Sequence, residues 1–345
     1  MRFDTYTLAE LATIKYGKNQ KKVQSPTGTI PIYGTGGLMG YASKALYDKP
    51  SVLIGRKGTI GKVKYAERPF WTVDTLFYTI VNTDIVLPRY LYYVMSLLDL
   101  NAYNEGTTIP SLRTETLNRL QFAIPPLDDQ AKILSVVLPL EYKIAVNDEI
   151  NKNLADQSQA IYQQYFVAEA NPDWPLGHLS DLIDIKYGKD HKKLADGTYP
   201  VYGSGGIMRY VERPLYEKES VLIPRKGTLN NVIYVNQPFW SVDTMFYTEM
   251  KQDNVAKFVY HYVKSKDLAS MNAGSAVPSM TTAILNALEL PLPSIEALKH
   301  FEISVAPMYE MMQKNEEESH KLAKLRDALL PKLMSGELDV SKIEL

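Results

Sequence analysis

Lysine and arginine gathered on glycine turns are the residues of this chain best placed to do chemistry on a partner. The run "KYGKNQKK" carries Lys15, Lys18, Lys21 and Lys22, and "GRKGTIGKVK" carries Arg56, Lys57, Thr59, Lys62 and Lys64, with Thr35 in the glycine stretch "GTGG". The same runs return further along. Lys186, Lys189, Lys192 and Lys193 lie in "KYGKDHKK", Ser204 and Arg209 in "GSGGIMRY", and Arg225, Lys226, Thr228, Asn230 and Asn231 in "PRKGTLNNV". Glycine lets a backbone come close to a polyanion, and these side chains donate to phosphate oxygens and base edges, so such loops suit nucleic-acid contacts. A single charged run is usually just a solvated surface; its recurrence is what favours binding.

Other chemistries lack their residues. In "GRKGTIGKV" five residues separate Gly55 from Gly61 and Val63 follows Lys62, whereas a phosphate loop needs four residues and then Ser or Thr. "GTGG" and "GSGG" lack the surroundings of a dinucleotide fingerprint and read as tight turns with positive φ. His178, His191, His261, His300 and His320 have no metal-ligand spacing. The Asp/Asn/Ser-Pro-Pro-aromatic tetrad of amino-methyltransferases does not occur. Asp74 and Asp243 have no second acid, base or metal partner in the pattern, which predicts structural hydrogen bonding. The expectation is no catalytic residue, no metal and no cofactor.

The elements that position the basic loops occur twice. "PFWTVDTLFYT" at 69–79 returns as "PFWSVDTMFYT" at 238–248, "IPIYGTGGLMGY" at 30–41 as "YPVYGSGGIMRY" at 199–210, and "NEGTTIPSL" at 104–112 as "NAGSAVPSM" at 272–280. Two long copies make a tandem pair of domains rather than a solenoid. Short strands rich in Val, Ile, Tyr and Phe between Gly and Pro turns, plus one helical run from Arg89, predict an α+β globule in each. Phe70, Trp71, Phe77 and Tyr78, with their equivalents, read as core packing.

Each copy ends differently. Steps of four and three pick out Ile133, Val137, Leu140, Ile144, Asn147, Asn151, Leu154, Ser158, Ile161 and Tyr165, then in the second copy Phe301, Val305, Met308, Met312, Asn315, Ser319, Leu322, Arg326, Leu329 and Leu333. This heptad seam predicts two long helices pairing as an antiparallel coiled coil. Asn147 and Asn315 share a seam position and are expected to set its alignment. Pro139 and Pro307 also correspond, and a kink or restart is expected there. The proposed boundaries are 1–126 and 171–293 for the globular domains, with helices in 127–170 and 294–345. Packed about a two-fold axis, such helices would hold the globules at opposite ends; the first seam is ~50 Å long at 1.5 Å per residue, or ~15 base pairs of duplex, enough to reach half-sites about one turn apart.

Net charge is -1 over 345 residues, but it is sorted by segment. Residues 1–100 hold 13 Lys and Arg against 7 Asp and Glu, while residues 101–179 hold 5 against 10. A polyanion meets local patches, so the neutral total does not exclude nucleic acid. There is no cysteine, no apolar run of bilayer length and no signal-like N-terminus, which together predict a cytoplasmic protein with no membrane partner.

The tandem "IPIYGTGG…RKGT…FWTVDT…GTTIPSL" pattern, the helix entry "IPPLDDQAKIL" and the ending "LAKLRDALLPKLMSGELDV" resemble the specificity subunit of type I restriction-modification systems along nearly the whole chain. The resemblance implies two target recognition domains, each reading half of a split site in double-stranded DNA, and spacer helices that bind modification (methyltransferase) subunits, two of them, with restriction subunits as a further partner. It implies no catalysis by the chain itself. "LDDQ" stands where the family has Glu-Gln, and "SIEALKHF" lacks that dipeptide. A self-contained methyltransferase or nuclease with a diverged site, and a scaffold that does not bind DNA, are the competing readings. Because Lys57-Gly58-Thr59 and Lys226-Gly227-Thr228 are identical, the half-sites are expected to be related, as in an interrupted, imperfect palindrome whose mismatches map to Gly40/Arg209, Gly61/Asn230, Lys62/Asn231 and Lys64/Ile233.

Overall fold

The computed structural model describes residues 1–272 and 278–343; the middle of the "NAGSAVPSM" repeat lies outside the described residues. The chain divides into two compact units. One comprises Met1–Asn147 with Glu317–Leu345, the other Asp148–Glu316. The division falls inside both long helices, so the C-terminal half of the second helix belongs with the first globule and not with its own.

The first unit runs β1 (Asp4–Thr7), α1 (Leu8–Leu11), β2 (Ala12–Tyr16), β3 (Ile30–Gly34), β4 (Gly37–Ala42), β5 (Ser51–Gly55), β6 (Lys64–Ala66), β7 (Trp71–Thr72), β8 (Leu76–Val81), α2 (Pro88–Ser96), α3 (Thr114–Asn118) and β9 (Gln121–Ile124), and then enters α4 (Leu127–Gln163). Its strands form an antiparallel β2-β8-β5-β6 sheet, a β4-β3-β7 sheet in which β3 and β7 are parallel, and the antiparallel pair β1-β9. The second unit repeats this plan with β10 (Leu176–His178), α5 (Leu179–Leu182), β11 (Ile183–Tyr187), β12 (Asp196–Gly203), β13 (Gly206–Val211), β14 (Ser220–Pro224), β15 (Ile233–Val235), β16 (Trp240–Ser241), β17 (Met245–Met250), α6 (Ala256–Lys264), α7 (Thr282–Asn286), β18 (Glu289–Pro291) and α8 (Ile295–Ser335).

The repeated aromatic segment is the fastener of each globule. Phe70, Trp71 and Phe77 are buried; Trp71 lies in β7 beside Ile32 of β3 and donates through Nε1 to the Lys18 carbonyl at 2.8 Å. Thr79 on β8 accepts from the Val52 amide at 2.9 Å, and Ser51 donates to the Thr79 carbonyl at 2.7 Å. Trp240, Thr248 and Ser220 repeat these bonds. A buried hydroxyl left without its partner costs more than an average hydrogen bond contributes, so such residues resist change when copies diverge. Asp74 and Asp243 differ from expectation. They are exposed, and their backbone carbonyls, not their carboxylates, accept from Arg56 (3.0 Å) and Arg225 (3.2 Å).

None of the seam residues, from Ile133 to Tyr165 just past the end of α4 and from Phe301 to Leu333 in α8, is exposed. Within the first unit Lys143 meets Glu318 at 3.1 Å, and Asn147 donates to Glu318 at 2.8 Å and to Ser319 at 3.2 Å; Glu141 lies 3.9 Å from Arg326. Within the second, Asn315 donates to Asn151 at 2.8 Å, and the Tyr165 and Phe301 rings lie 6.3 Å apart. From Glu141 to Asn147 the partner moves from Arg326 back to Glu318 and Ser319, and from Asn151 to Tyr165 it moves from Asn315 back to Phe301, so the segments run antiparallel in each unit. The seam asparagines bond across it as expected, each with a residue one heptad step from its own equivalent. Neither proline restarts a helix: α4 passes through Pro139 and α8 through Pro307. A proline removes one hydrogen bond, and the seam residues flanking each one, Val137 and Leu140 or Val305 and Met308, stay packed.

Each globule is tied to its long helices by a cation caged in tyrosines. Arg89 of α2 pairs with Glu141 and lies 4.5 Å from the Tyr65 ring centre. Lys257 of α6 bonds Glu219 at 2.9 Å and Glu302 at 2.6 Å, 5.1 Å from the Tyr234 ring centre. Gln130, fully buried at the start of α4, donates to the Ile85 and Pro125 carbonyls and accepts from the Leu87 amide, which sets the angle at which α4 leaves the globule. Burial depresses His261 to about 3, so this imidazole is a neutral bridge between Gln159 and Tyr309.

Candidate nucleic-acid interface

The loop after β5 is built by its neighbours. Arg56 and Lys57 donate their amides to the Thr75 carbonyl, Lys57 bridges Ser111, and Gly58 donates to the Pro110 carbonyl at 2.8 Å with φ +89. In the second unit Arg225 and Lys226 donate their amides to the Thr244 carbonyl, Lys226 bridges Ser279, and Gly227 has φ +86. A side chain at either glycine would be strained. Gly37 and Gly206 of the glycine stretches also have positive φ, as their turn reading requires.

This backbone holds a cationic face open. Lys15, Lys18, Lys21, Lys22, Lys57 and Lys62 are exposed in the first unit, and Lys189, Lys192, Lys193 and Lys226 in the second, as are Thr59 and Thr228. Lys186 is half-buried and lies 3.6 Å from Glu249; among the described residues Lys15 has no such ion pair. Arg56 lies over the Tyr16 ring at 5.1 Å, and Arg225 over Tyr187 at 5.3 Å. Both tyrosines are about half exposed, at 51% and 53%. Each unit therefore presents a guanidinium over an exposed ring, an arrangement that restrains Arg for recognition of a planar acceptor.

The sequence reasoning missed Tyr16, Tyr187 and Arg113. Arg113 shares an open cleft of about 400 Å³ with Tyr16, Arg56 and Lys57 and is paired with Glu105 at 3.1 Å. The two "KYG" tripeptides are a signal that could have flagged the tyrosines. Arg113 has no counterpart, since Thr281 stands at its place and caps α7.

Four expected contact residues have partners within their own unit, although Asn230 itself is exposed. Lys64 donates to the Gly34 and Thr35 carbonyls at 3.1 and 2.8 Å, and burial lowers its ammonium below the ordinary lysine value. Asn231 does the same work in the second unit, donating to the Ser204 carbonyl at 2.8 Å. Arg209 bonds Asp196 and the Leu194 carbonyl, and Asn230 bonds Asp267 and the Ala269 amide. The last pair is a swap: a Cβ on Gly61 would lie 2.3 Å from Asn101, so the amide side chain comes from opposite sides of the same contact in the two copies. Differences assigned above to base reading thus have internal uses. Thr35 and Ser204 are half-buried beneath the loop glycines, the Ser204 hydroxyl 2.7 Å from where a Gly227 Cβ would be.

The clamp makes a specific prediction. Lys64→Ile frees two carbonyls and should cost about 1 kcal/mol. Adding Lys62→Asn, the residue type the second copy has at that place, should restore most of it. Thermal unfolding of the single and double variants measures this, and equal melting would show that the two clamps are not interchangeable.

The sequence description "Type I restriction modification DNA specificity domain" matches residues 2–155 and again 171–318. The chain is 22% identical to the type I restriction enzyme MjaIX specificity subunit of Methanocaldococcus jannaschii over 87% of its own length and 80% of that protein's, and 21% identical to the HindI specificity subunit of Haemophilus influenzae over 78% and 81%. Its fold matches the crystal structure of a type I restriction-modification S subunit from M. genitalium with a TM-score of 0.68 at 20% identity, covering 96% of both chains. The paired matches coincide with the repeats read from the sequence, and this chain belongs to the type I restriction-modification DNA specificity family, carrying two of its domains in tandem.

Proposed function

We propose that the chain is the sequence-reading, non-catalytic subunit of a type I restriction-modification assembly, which recognises a split site in duplex DNA with one half read by each unit and directs associated methyltransferase subunits to it. The observation that carries this reading is the cationic loop with its Arg-on-Tyr pair, present in both units with its Arg and Lys amides on the equivalent threonine carbonyl, on globules of a DNA specificity family. Two modification subunits, and a restriction subunit in the cleaving form, are the partners it calls for, and the cytoplasm is where they would meet DNA. Among the described residues no helix is long and apolar enough to cross a membrane, and no three His, Cys, Asp or Glu residues cluster to hold a metal. With Lys64 and Asn231 each holding a hairpin carbonyl within its own unit, the exposed faces are more alike than the sequences, which supports related half-sites.

The test is to express the chain with its modification subunit and sequence the methylated motif. An interrupted motif with related arms is expected. Methyl transfer by the purified chain alone would make it an enzyme, and a continuous motif would remove the two-handed reading.

A further inference from the structure

In both units the glycine hairpin carries exposed aliphatic side chains that the cationic reading does not use. Leu38 and Met39 on β4 are 55% and 54% exposed, and Ile207 and Met208 on β13 are 50% and 60% exposed. The globule does not need them for packing, since Ile32 and Ala42 on the same hairpin, like Val201 and Val211, already fill its core side. Their position is nonetheless held in place. A Cβ on Gly34 would lie 2.4 Å from the Met39 sulfur, and one on Gly203 2.5 Å from that of Met208, so each glycine leaves room for a methionine lying flat along the ribbon. Lys64 and Asn231 fasten the hairpin turn beside the basic loop, where a Cβ on Gly58 would be 3.8 Å from the Thr35 hydroxyl.

An apolar tip fixed among exposed cations fits an anionic partner that also offers small apolar groups. On the base edges of a DNA major groove that group is the thymine methyl, and a two-stranded ribbon is narrow enough to enter the groove. Resting on the DNA-reading role proposed above, we infer that Leu38 and Met39 in the first half-site, and Ile207 and Met208 in the second, read thymine through its C5-methyl group.

The assembled complex with its modification subunits provides the test, on its methylated motif. Replacing thymine by deoxyuridine at each A·T pair in turn removes only the methyl. At one position per arm, binding should weaken about four-fold, the worth of one buried methyl group. Met39→Ala and Leu38→Ala should abolish the thymine-deoxyuridine difference in the first arm and leave it in the second; Ile207→Ala and Met208→Ala should do the reverse. Scoring two residues per hairpin separates loss of the methyl-reading side chain from a disturbed ribbon. No deoxyuridine effect anywhere, an arm without an A·T pair, or variants that weaken both DNAs equally would overturn the inference while leaving salt-dependent binding intact. Loss of salt-dependent binding by the unaltered complex would instead overturn the DNA-reading role itself.

Discussion

Arg56→Ala is expected to weaken binding of target duplex by the assembled complex about 5- to 150-fold, and Arg225→Ala similarly, which corresponds to roughly 1 to 3 kcal/mol for an arginine directed at a base or phosphate. The two residues belong to different units and share no partner, so their effects should add in the double variant. The slope of log affinity against log salt should fall by about one for each phosphate that the variant no longer neutralises. Arg56→Lys separates charge from geometry: it keeps the salt slope but loses the forked guanidinium held over Tyr16, so specificity for the motif should drop more than non-specific binding. Affinity and slope unchanged in both alanine variants would remove these loops from the DNA interface.

Lys257→Met is expected to be the most damaging single change to the second unit. The lysine side chain is 6% exposed and holds Glu219 and Glu302 together, with Tyr234 also bonded to Glu219. Removing the cation leaves two carboxylates close together in a largely buried site, and breaking one side of such a buried group costs about 3 to 5 kcal/mol. Adding Glu302→Leu should recover much of the loss, because a buried ion pair exchanged for apolar packing is often neutral. Arg89→Met in the first unit should cost less, since Arg89 and Glu141 are 26% and 20% exposed and water can take over part of the solvation. Chemical denaturation of the three variants decides the matter; a Lys257→Met loss under about 1 kcal/mol would mean the cluster is solvated in solution.

Several structural features were legible in the chain as one-dimensional pattern. The duplication is a matter of letters, and it carries the two units and their matching sheet topologies with it. The seam from Ile133 to Tyr165 and from Phe301 to Leu333 follows from the near-agreement of 3.5 and 3.6 residues per turn, which keeps one stripe facing a partner wherever the helix lies, and every residue on it is at least partly covered. The aromatic repeat was legible as core because large rings side by side in short strands have few stable places outside it.

Partners far away in the chain were legible only in three dimensions. Lys62 and Lys64 are two residues apart and chemically the same, yet one is exposed and the other is bound to the carbonyls of Gly34 and Thr35. No local pattern separates them, because the distinction lies in which unsatisfied carbonyl happens to stand within reach. The bonds of Arg209 and Asn230 were hidden for the same reason, their acceptors at Asp196 and Asp267 being 13 and 37 residues distant. Tyr16 and Tyr187 gain meaning only when Arg56 and Arg225 fold over them. The membership of the units is the largest such decision. Residues 317–345 join the first globule, with Leu330, Leu333, Met334 and Val340 in its core beside Ile133 and Val137, because a helix that runs back antiparallel buries its last apolar residues where the first helix began. Repeated letters and heptad spacing were enough to specify two globules and two paired helices; packing settled which stretch of helix completes which globule, since burial depends on what lies nearby in space and not on order along the chain.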